Sequence, residues 1–151
     1  MKSITEQLIG VWVLESCESR RPNGDIIDVG MWGKNPDGHL VYTPGGHMTV
    51  HLMDTDRLHF AKDDARSGTI EEIKSMFEGY NAYFGTYEVN EDEGYVTHHV
   101  KRDLIPNFEG QALKRFFQLD GEILTLRTPV YVFAGEESYS LIVWRKVETL
   151  Q

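Results

Sequence analysis

Two adjacent histidines, His98 and His99, lie in the stretch YVTHHVKRD (residues 95–103), which has the composition of a β-strand. Successive side chains of a strand point to opposite faces, so one imidazole should face the interior and the other the solvent. A buried imidazole can be a general acid or base near neutral pH, or a hydrogen-bonded core residue. The chemistry of the pair therefore depends on the pairing register of this strand.

The acidic turn that follows Asn90 joins this strand to the one before it. If Asn90 opposes Tyr95, Tyr87 lies beside His98 on one face, and His99 lies on the other face beside a threonine. The His98 set is the more apolar, since it also contains three valines, so we expect His98 and Tyr87 to face inward. A one-residue slip of the register would exchange the two histidines.

Arg115 is the second residue whose type suggests chemistry. The Asp120-Gly121 turn predicts a hairpin in which Phe117 opposes Leu124 and Arg115 opposes Leu126, all on the inner face. A guanidinium stays protonated and costs several kcal/mol to bury unless acceptors meet it. Arg115 should therefore pair with an inward Glu18, or bind a carboxylate, enolate or carbonyl oxygen of a ligand.

These side chains must be positioned by an all-β fold, because turn signals recur about every ten residues between short segments rich in β-branched and aromatic residues. The predicted strands span 8–20, 25–32, 38–43, 47–53, 84–90, 95–102, 111–119, 122–128 and 138–147. One capping-box sequence, Thr69 to Glu72, opens a run of apolar residues at helical spacing. It predicts one amphipathic helix at 70–83 that covers an end or side of the barrel, with Tyr80 and Tyr83 as packing residues.

The net charge of −9, from 24 acidic and 15 basic residues, disfavours nucleic acid and anionic membranes as partners. A length of 151 residues predicts one domain over 1–151, and no stretch approaches the ~20 apolar residues of a membrane helix. We therefore expect a cytoplasmic protein. Cys17 is the single cysteine, and His39 and His51 oppose each other on an outer face without a third ligand, so we expect no disulfide, metal or cofactor.

Several segments resemble the bacterial lipocalin-like domain family, whose members are small calycin-type barrels. They are LIGVWVLESCE, with the Gly10-Val11-Trp12 form of G-x-W, GKNPDGHLVYTPGGHMTVHLM, FEGYNAYFGTYEVNEDEGYVTHHV, IPNFEG and LDGEILTLRTP. The resemblance implies a single up-and-down lipocalin-like barrel of 8–10 antiparallel strands around a cavity, with the helix inserted near 70–83.

This chain departs from true lipocalins in two ways: their threonine-aspartate motif has no counterpart, and the helix interrupts the barrel instead of following it. Arg145 could match the lipocalin arginine that stacks on the G-x-W tryptophan. Nine up-and-down strands would make the last strand parallel to the first and would put Arg145 at the end of the barrel opposite Trp12. A tenth strand at Val130 to Phe133 would restore an even number of strands.

Inside such a barrel, an apolar lining with a few convergent polar groups is typical of a small-molecule site. We expect a small, mainly hydrophobic ligand with a polar oxygen function. Its polar or catalytic contacts would be His98, Arg115 and Tyr87. The inner side chains that would otherwise contact the ligand are Trp12, Glu18, Tyr42, Met48, Val50, Phe117, Leu124 and Leu126.

Two alternatives stay open. One is a cofactor-independent isomerase, cyclase, hydratase or lyase that acts on a polyketide- or terpenoid-like substrate in the same cavity, with His98 as the acid or base and Tyr42 and Tyr87 as oxyanion donors. The other is a protein-interaction module, which would need an exposed apolar patch. A homodimer is compatible with each of these readings.

Overall fold

The computed structural model describes residues 1–27 and 32–149. Its strands are β1 Gly10–Arg20, β2 Pro36–Tyr42, β3 His47–Asp54, β4 Tyr80–Asn90, β5 Tyr95–Asp103, β6 Ala112–Asp120, β7 Ile123–Arg127, β8 Tyr131–Phe133 and β9 Glu136–Thr149. Two α-helices, α1 Ile4–Leu8 and α2 Ile70–Glu78, and the 3-10 turn Pro106–Phe108 complete the regular structure of the described residues.

The strands form an antiparallel barrel of the predicted all-β class. Each strand from β1 to β6 pairs with the next strand in the chain, β7 pairs with β9, and β9 pairs with β1, which closes a barrel of eight strands. The extra strand predicted at 130–133 is present as β8, which pairs with β9. The strand predicted at 25–32 is represented in the described residues by one isolated bridge between Arg20 and Ile26, and residues 28–31 lie outside the described residues. Closure by eight strands makes β9 antiparallel to β1.

The end of the barrel that carries α1 is closed by Trp12. Its side chain is fully buried, and its indole N–H donates to the carbonyl oxygen of Leu8 at 2.9 Å. The cation over this indole is Lys146, with its ammonium 4.8 Å from the ring centroid and bonded to two carbonyl oxygens at the end of α1. The expectation for Arg145 is therefore wrong, since Arg145 points outward and contacts Glu15 at 3.3 Å.

A β-bulge at Glu15 changes which side chains of β1 face the interior. The pairing of β1 with β9 shifts between Leu14 and Ser16, so the alternation of inward and outward residues reverses after this point. Glu18, predicted to face inward, instead lies on the outer face, where its carboxylate contacts Arg20 at 3.0 Å. Ser16 is exposed for the same reason. The inward positions beyond the bulge belong to Cys17 and Ser19.

Helix α2 begins as predicted but ends five residues early. The hydroxyl of Thr69 and the carboxylate of Glu72 form the expected capping box. The chain then leaves the helix at Gly79, and residues 80–83 belong to β4 instead of the helix. No residue of α2 is buried, and Ile70 is 88% exposed, so the apolar face of the helix does not pack into the barrel core.

The hairpins set the faces of the strands that matter for function. Two of the three predicted registers are confirmed, with Tyr42 opposite Met48 in β2–β3 and Tyr87 opposite His98 in β4–β5. The β6–β7 hairpin pairs Phe117 with Leu126, and not with Leu124 as predicted, because the turn lies one residue later. A shift of two residues along the partner strand preserves the face, so the inner set of β6 and β7 is unchanged.

No helix within the described residues is long and apolar enough to cross a membrane.

Candidate functional site

His98 is the inward member of the histidine pair and is held between two tyrosines. Its side chain is 2% exposed, with Nε2 2.6 Å from the hydroxyl of Tyr42 and Nδ1 2.7 Å from the hydroxyl of Tyr83. Burial lowers the pKa of His98 well below its ordinary value, and the positive charge of Arg115 lowers it further. The imidazole is therefore neutral at physiological pH.

A neutral imidazole has one ring N–H and one bare nitrogen, which limits how the two tyrosines can bind it. One hydroxyl donates to the bare nitrogen, while the other accepts from the N–H. The accepting tyrosine keeps its own proton for another partner. The Tyr42–His98–Tyr83 cluster thus has one hydroxyl proton that His98 does not use.

Tyr87 lies beside His98 in the sheet, as predicted, but is not hydrogen-bonded to it. Its hydroxyl donates to the carbonyl oxygen of Thr43 at 2.7 Å, and its ring centroid is 4.7 Å from that of Tyr42. Tyr87 therefore packs against the ring of Tyr42 and does not contact His98 through a hydrogen bond. Tyr87 connects the β2–β3 turn to the cluster.

Arg115 faces the interior from β6 in the same alternation as Leu113 and Phe117, which pack against the core. Its side chain is half-buried, and Nη1 donates to the carbonyl oxygen of Lys114 at 3.1 Å. Burial raises the pKa of Tyr83, and the positive charge of Arg115 opposes that rise. Arg115 therefore belongs to the same cluster as Tyr83 and His98.

The predicted ion pair between Arg115 and Glu18 is absent, because the bulge in β1 turns Glu18 outward to Arg20. Among residues 1–27 and 32–149, no carboxylate lies within ion-pair distance of the Arg115 guanidinium. Arg115 is thus an inward cation whose nearby groups are neutral hydroxyls and an imidazole.

A second group of hydroxyls lies on β8 and β9 and the residues next to them. The hydroxyl of Tyr131 is 3.0 Å from that of Ser140, and the backbone N–H of Ser140 donates to the Thr128 hydroxyl at 2.9 Å. Burial raises the pKa of Tyr131, while its hydrogen bond to Ser140 and the charge of Arg115 oppose that rise. The charge of Arg115 therefore influences Tyr131 as well as Tyr83.

A family profile described as lipocalin-like domain matches residues 9–147. The chain belongs to the lipocalin-like domain family. One curated relative, the 4′-hydroxy-3′-methoxypropiophenone carrier protein of Aspergillus oryzae, is 34% identical over 111 residues, which are 68% of this chain and 99% of that protein. No solved structure matches the chain with significance.

Most of the other inward side chains of this lipocalin-like barrel are apolar. The inward residues that the sequence predicted as lining are buried or partly buried: Trp12, Tyr42, Met48, Val50, Phe117, Leu124 and Leu126. Trp144 is also buried, and within the described chain its indole N–H has no hydrogen-bond partner. A polar hydrogen without an acceptor in such surroundings is unfavourable, which makes this N–H available to an oxygen of a bound molecule.

Sequence reasoning missed Tyr83, which is as close to His98 as Tyr42 is. The helical spacing of apolar residues from Ile70 onward placed Tyr83 in the helix. Tyr83, Gly85 and Tyr87 occupy every second position of the chain, which is the spacing of side chains on one face of a strand. This spacing was the signal that Tyr83 shares a face with Tyr87. The breaker at Gly79 marks where one periodicity gives way to the other.

His99 lies outside this lipocalin-like site. It pairs with Thr86 in the sheet, as predicted, and its Nε2 is 3.0 Å from a carboxylate oxygen of Glu88. His39 and His51 oppose each other as expected, and within residues 1–27 and 32–149 no group of three or more metal-binding side chains assembles. His99 thus provides a natural control for experiments on His98.

Proposed function

We propose that this lipocalin-like domain binds and carries a small, mainly hydrophobic molecule that has oxygen substituents, of the phenol or aryl-ketone class. The observation that carries the proposal is the cluster of Tyr42, His98, Tyr83 and Arg115 on the inner face of an otherwise apolar barrel. A relative named as the carrier of a hydroxylated, methoxylated propiophenone supports the same class of ligand.

The apolar and the polar side chains of the barrel would contact different parts of the ligand. The apolar lining, for which Met48, Leu124 and Leu126 are examples, would contact the ring and alkyl parts of the ligand. Burying a surface as large as an aromatic side chain contributes about 4–6 kcal/mol. The hydroxyls and Arg115 would contact the oxygens, and therefore determine which apolar molecules of the right size are held.

Isothermal titration with 4′-hydroxy-3′-methoxypropiophenone as the probe tests this proposal. The unmodified protein should bind one molecule, and Arg115→Met or His98→Gln should weaken binding by about tenfold or more, as expected for a lost polar contact worth 1–3 kcal/mol. His99→Gln, on the outer face, should bind like the unmodified protein. Absence of binding to the unmodified protein, or equal binding by the three variants, would overturn the proposal.

The arrangement also supports a second candidate, a cofactor-independent isomerase, cyclase, hydratase or lyase that acts on a polyketide- or terpenoid-like substrate. The supporting observation is the continuous Tyr42–His98–Tyr83 hydrogen-bonded chain, through which a proton can be relayed between two hydroxyls. Incubation followed by mass spectrometry and NMR of the recovered small molecule separates the candidates. A carrier returns its ligand unchanged, whereas an enzyme returns an isomer or elimination product, and His98→Gln should slow that conversion by about a hundredfold.

A further inference from the structure

Among the described residues, the charge of Arg115 influences the pKa values of four groups, which are three phenols and one imidazole. They are Tyr42 on β2, Tyr83 on β4, His98 on β5 and Tyr131 on β8. Burial keeps the three phenols protonated by raising their pKa values and keeps the imidazole uncharged by lowering its pKa. No anion among the described residues therefore compensates the guanidinium from within the cluster.

Two further titratable groups near these residues also leave the positive charge uncompensated. Cys17 faces inward from β1, and burial raises the pKa of its thiol to about 12, so the thiol is neutral. Asp103 pairs with Tyr83 in the sheet, but its carboxylate accepts the backbone N–H of Ile105 at 2.8 Å and forms no ion pair with Arg115. Among residues 1–27 and 32–149, the positive charge of Arg115 thus has no anionic partner, and we take it as the charge that a bound molecule would meet.

The hydrogen bonds around Tyr83 make it the tyrosine that can donate to a ligand. Arg115 opposes Val96 in the sheet, two positions from His98 on the inner face of β5, and its positive charge opposes the rise in the pKa of Tyr83. In the tautomer that carries the ring proton on Nδ1, His98 donates to the oxygen of Tyr83, and Nε2 accepts the hydroxyl of Tyr42. The hydroxyl proton of Tyr83 then has no partner in the cluster and lies beside a cation.

We infer that Tyr83 and Arg115 form an oxyanion-binding pair, and that the ligand of this barrel is an ionisable phenol or enol bound as its anion. This inference rests on the proposed function and narrows its ligand class, because an ether or a simple ketone offers no anion to the pair. On binding, the O–H bond of the ligand breaks, its electron pair stays on the oxygen that Tyr83 and Arg115 contact, and the proton passes to the buffer.

Absorbance titration of the bound probe is the direct test. The phenolate of a 4′-hydroxy aryl ketone such as 4′-hydroxy-3′-methoxypropiophenone absorbs at longer wavelength than the phenol, so its ionisation can be followed in the complex. We expect the pKa of the bound phenol to be lower than that of the free probe by about one unit or more, which corresponds to at least tenfold preference for the anion. Titration calorimetry in two buffers, below the pKa of the free probe, should show a proton released on binding.

A matched pair of variants assigns the effect to Arg115. Arg115→Met should abolish the shift, whereas Lys114→Met removes the same charge from the outer face of β6 and should retain it. Tyr83→Phe should reduce the shift without abolishing it, because it removes only one of the two donors. A control ligand in which a methoxy group replaces the phenolic hydroxyl should bind about tenfold more weakly or worse.

The outcomes separate this inference from the proposed function. If the probe and its O-methylated analogue bind equally well and the pKa of the bound phenol is unchanged, the carrier function stands and the inference is wrong. If neither compound binds the unmodified protein, both are wrong. The comparison of the two ligands needs no variant, so it decides the inference even where Arg115→Met does not fold.

Discussion

His98 should make the protein lose stability as the pH falls below the ordinary pKa of an imidazole. In the folded state the pKa of His98 lies well below 6.5, mainly because the ring is buried and also because Arg115 is positively charged. In the unfolded chain the ring is solvated, so it takes up a proton at a higher pH. Protonation therefore favours the unfolded state, and the contribution of neutral His98 to stability is fully present above pH 6.5 and decreases below it.

The magnitude follows from the difference between the two pKa values. At one pH unit below the ordinary imidazole pKa, the free energy of unfolding should be about 1.4 kcal/mol lower than at neutral pH or above. This value holds as long as the pH stays above the pKa of His98 in the folded state. Urea unfolding followed by tryptophan fluorescence, at about pH 5.5 and about pH 7.5, measures this difference. Gln has a donor and an acceptor but no titration, so His98→Gln should remove the pH dependence that His98 causes.

His99→Gln is the matched control, because it changes the neighbouring histidine on the exposed face beside Glu88. It should leave the difference between the two pH values unchanged, although it removes the same titratable group. The reasoning is refuted if His98→Gln retains the full pH dependence, or if His99→Gln abolishes it. Either result would mean that the imidazole of His98 is not kept neutral by its surroundings.

Three further predictions concern the barrel itself. Gly85→Ala should prevent folding or lower the free energy of unfolding by more than about 3 kcal/mol, because the added Cβ would lie 1.8 Å from a backbone oxygen of β5. Gly45→Ala is the control: its Cβ would lie no closer than 3.8 Å to another atom, so its melting temperature should be close to that of the unmodified protein. Lys146→Met should cost about 1–3 kcal/mol in urea unfolding, since it removes the cation over the indole and two hydrogen bonds to α1. Cys17 should react with a thiol reagent only as fast as the protein unfolds, because its thiol is buried with a pKa of about 12, and rapid labelling of the folded protein would contradict this.

Local sequence patterns predicted the orientation of side chains correctly where a short turn fixes the register of two neighbouring strands. The short connection after Asn90 allows one main register, and that register alone places His98 inward and His99 outward. The family resemblance was confirmed over residues 9–147, and the eight-stranded closure lies within the predicted range of strand number. These features depend on contacts between residues that are close in sequence or on the fold as a whole.

The errors arose where distant contacts decide the structure. The bulge at Glu15 is defined by the pairing of β1 with β9, more than a hundred residues away, and it turned Glu18 out of the site. Tyr83 left the predicted helix because β4 pairs with both β3 and β5, and these ladders outweigh a helical spacing of apolar residues. The partner of Arg115 could not be predicted either, because both errors concerned residues near it.

Among the described residues, hydroxyls take the place of carboxylates around Arg115, and this arrangement fits the proposed binding of a ligand oxygen. A carboxylate partner such as the predicted Glu18 would have satisfied the guanidinium and cancelled its charge. A protonated phenol such as Tyr83 is neutral, so it leaves the charge of Arg115 in place. His98 contributes in the same sense, because a neutral ring between two hydroxyls orients both of them without adding a second cation or an anion. Arg115 has no carboxylate partner among residues 1–27 and 32–149, so the proposed carrier would select its ligand by charge as well as by shape. That proposed selectivity would depend on His98 remaining unprotonated.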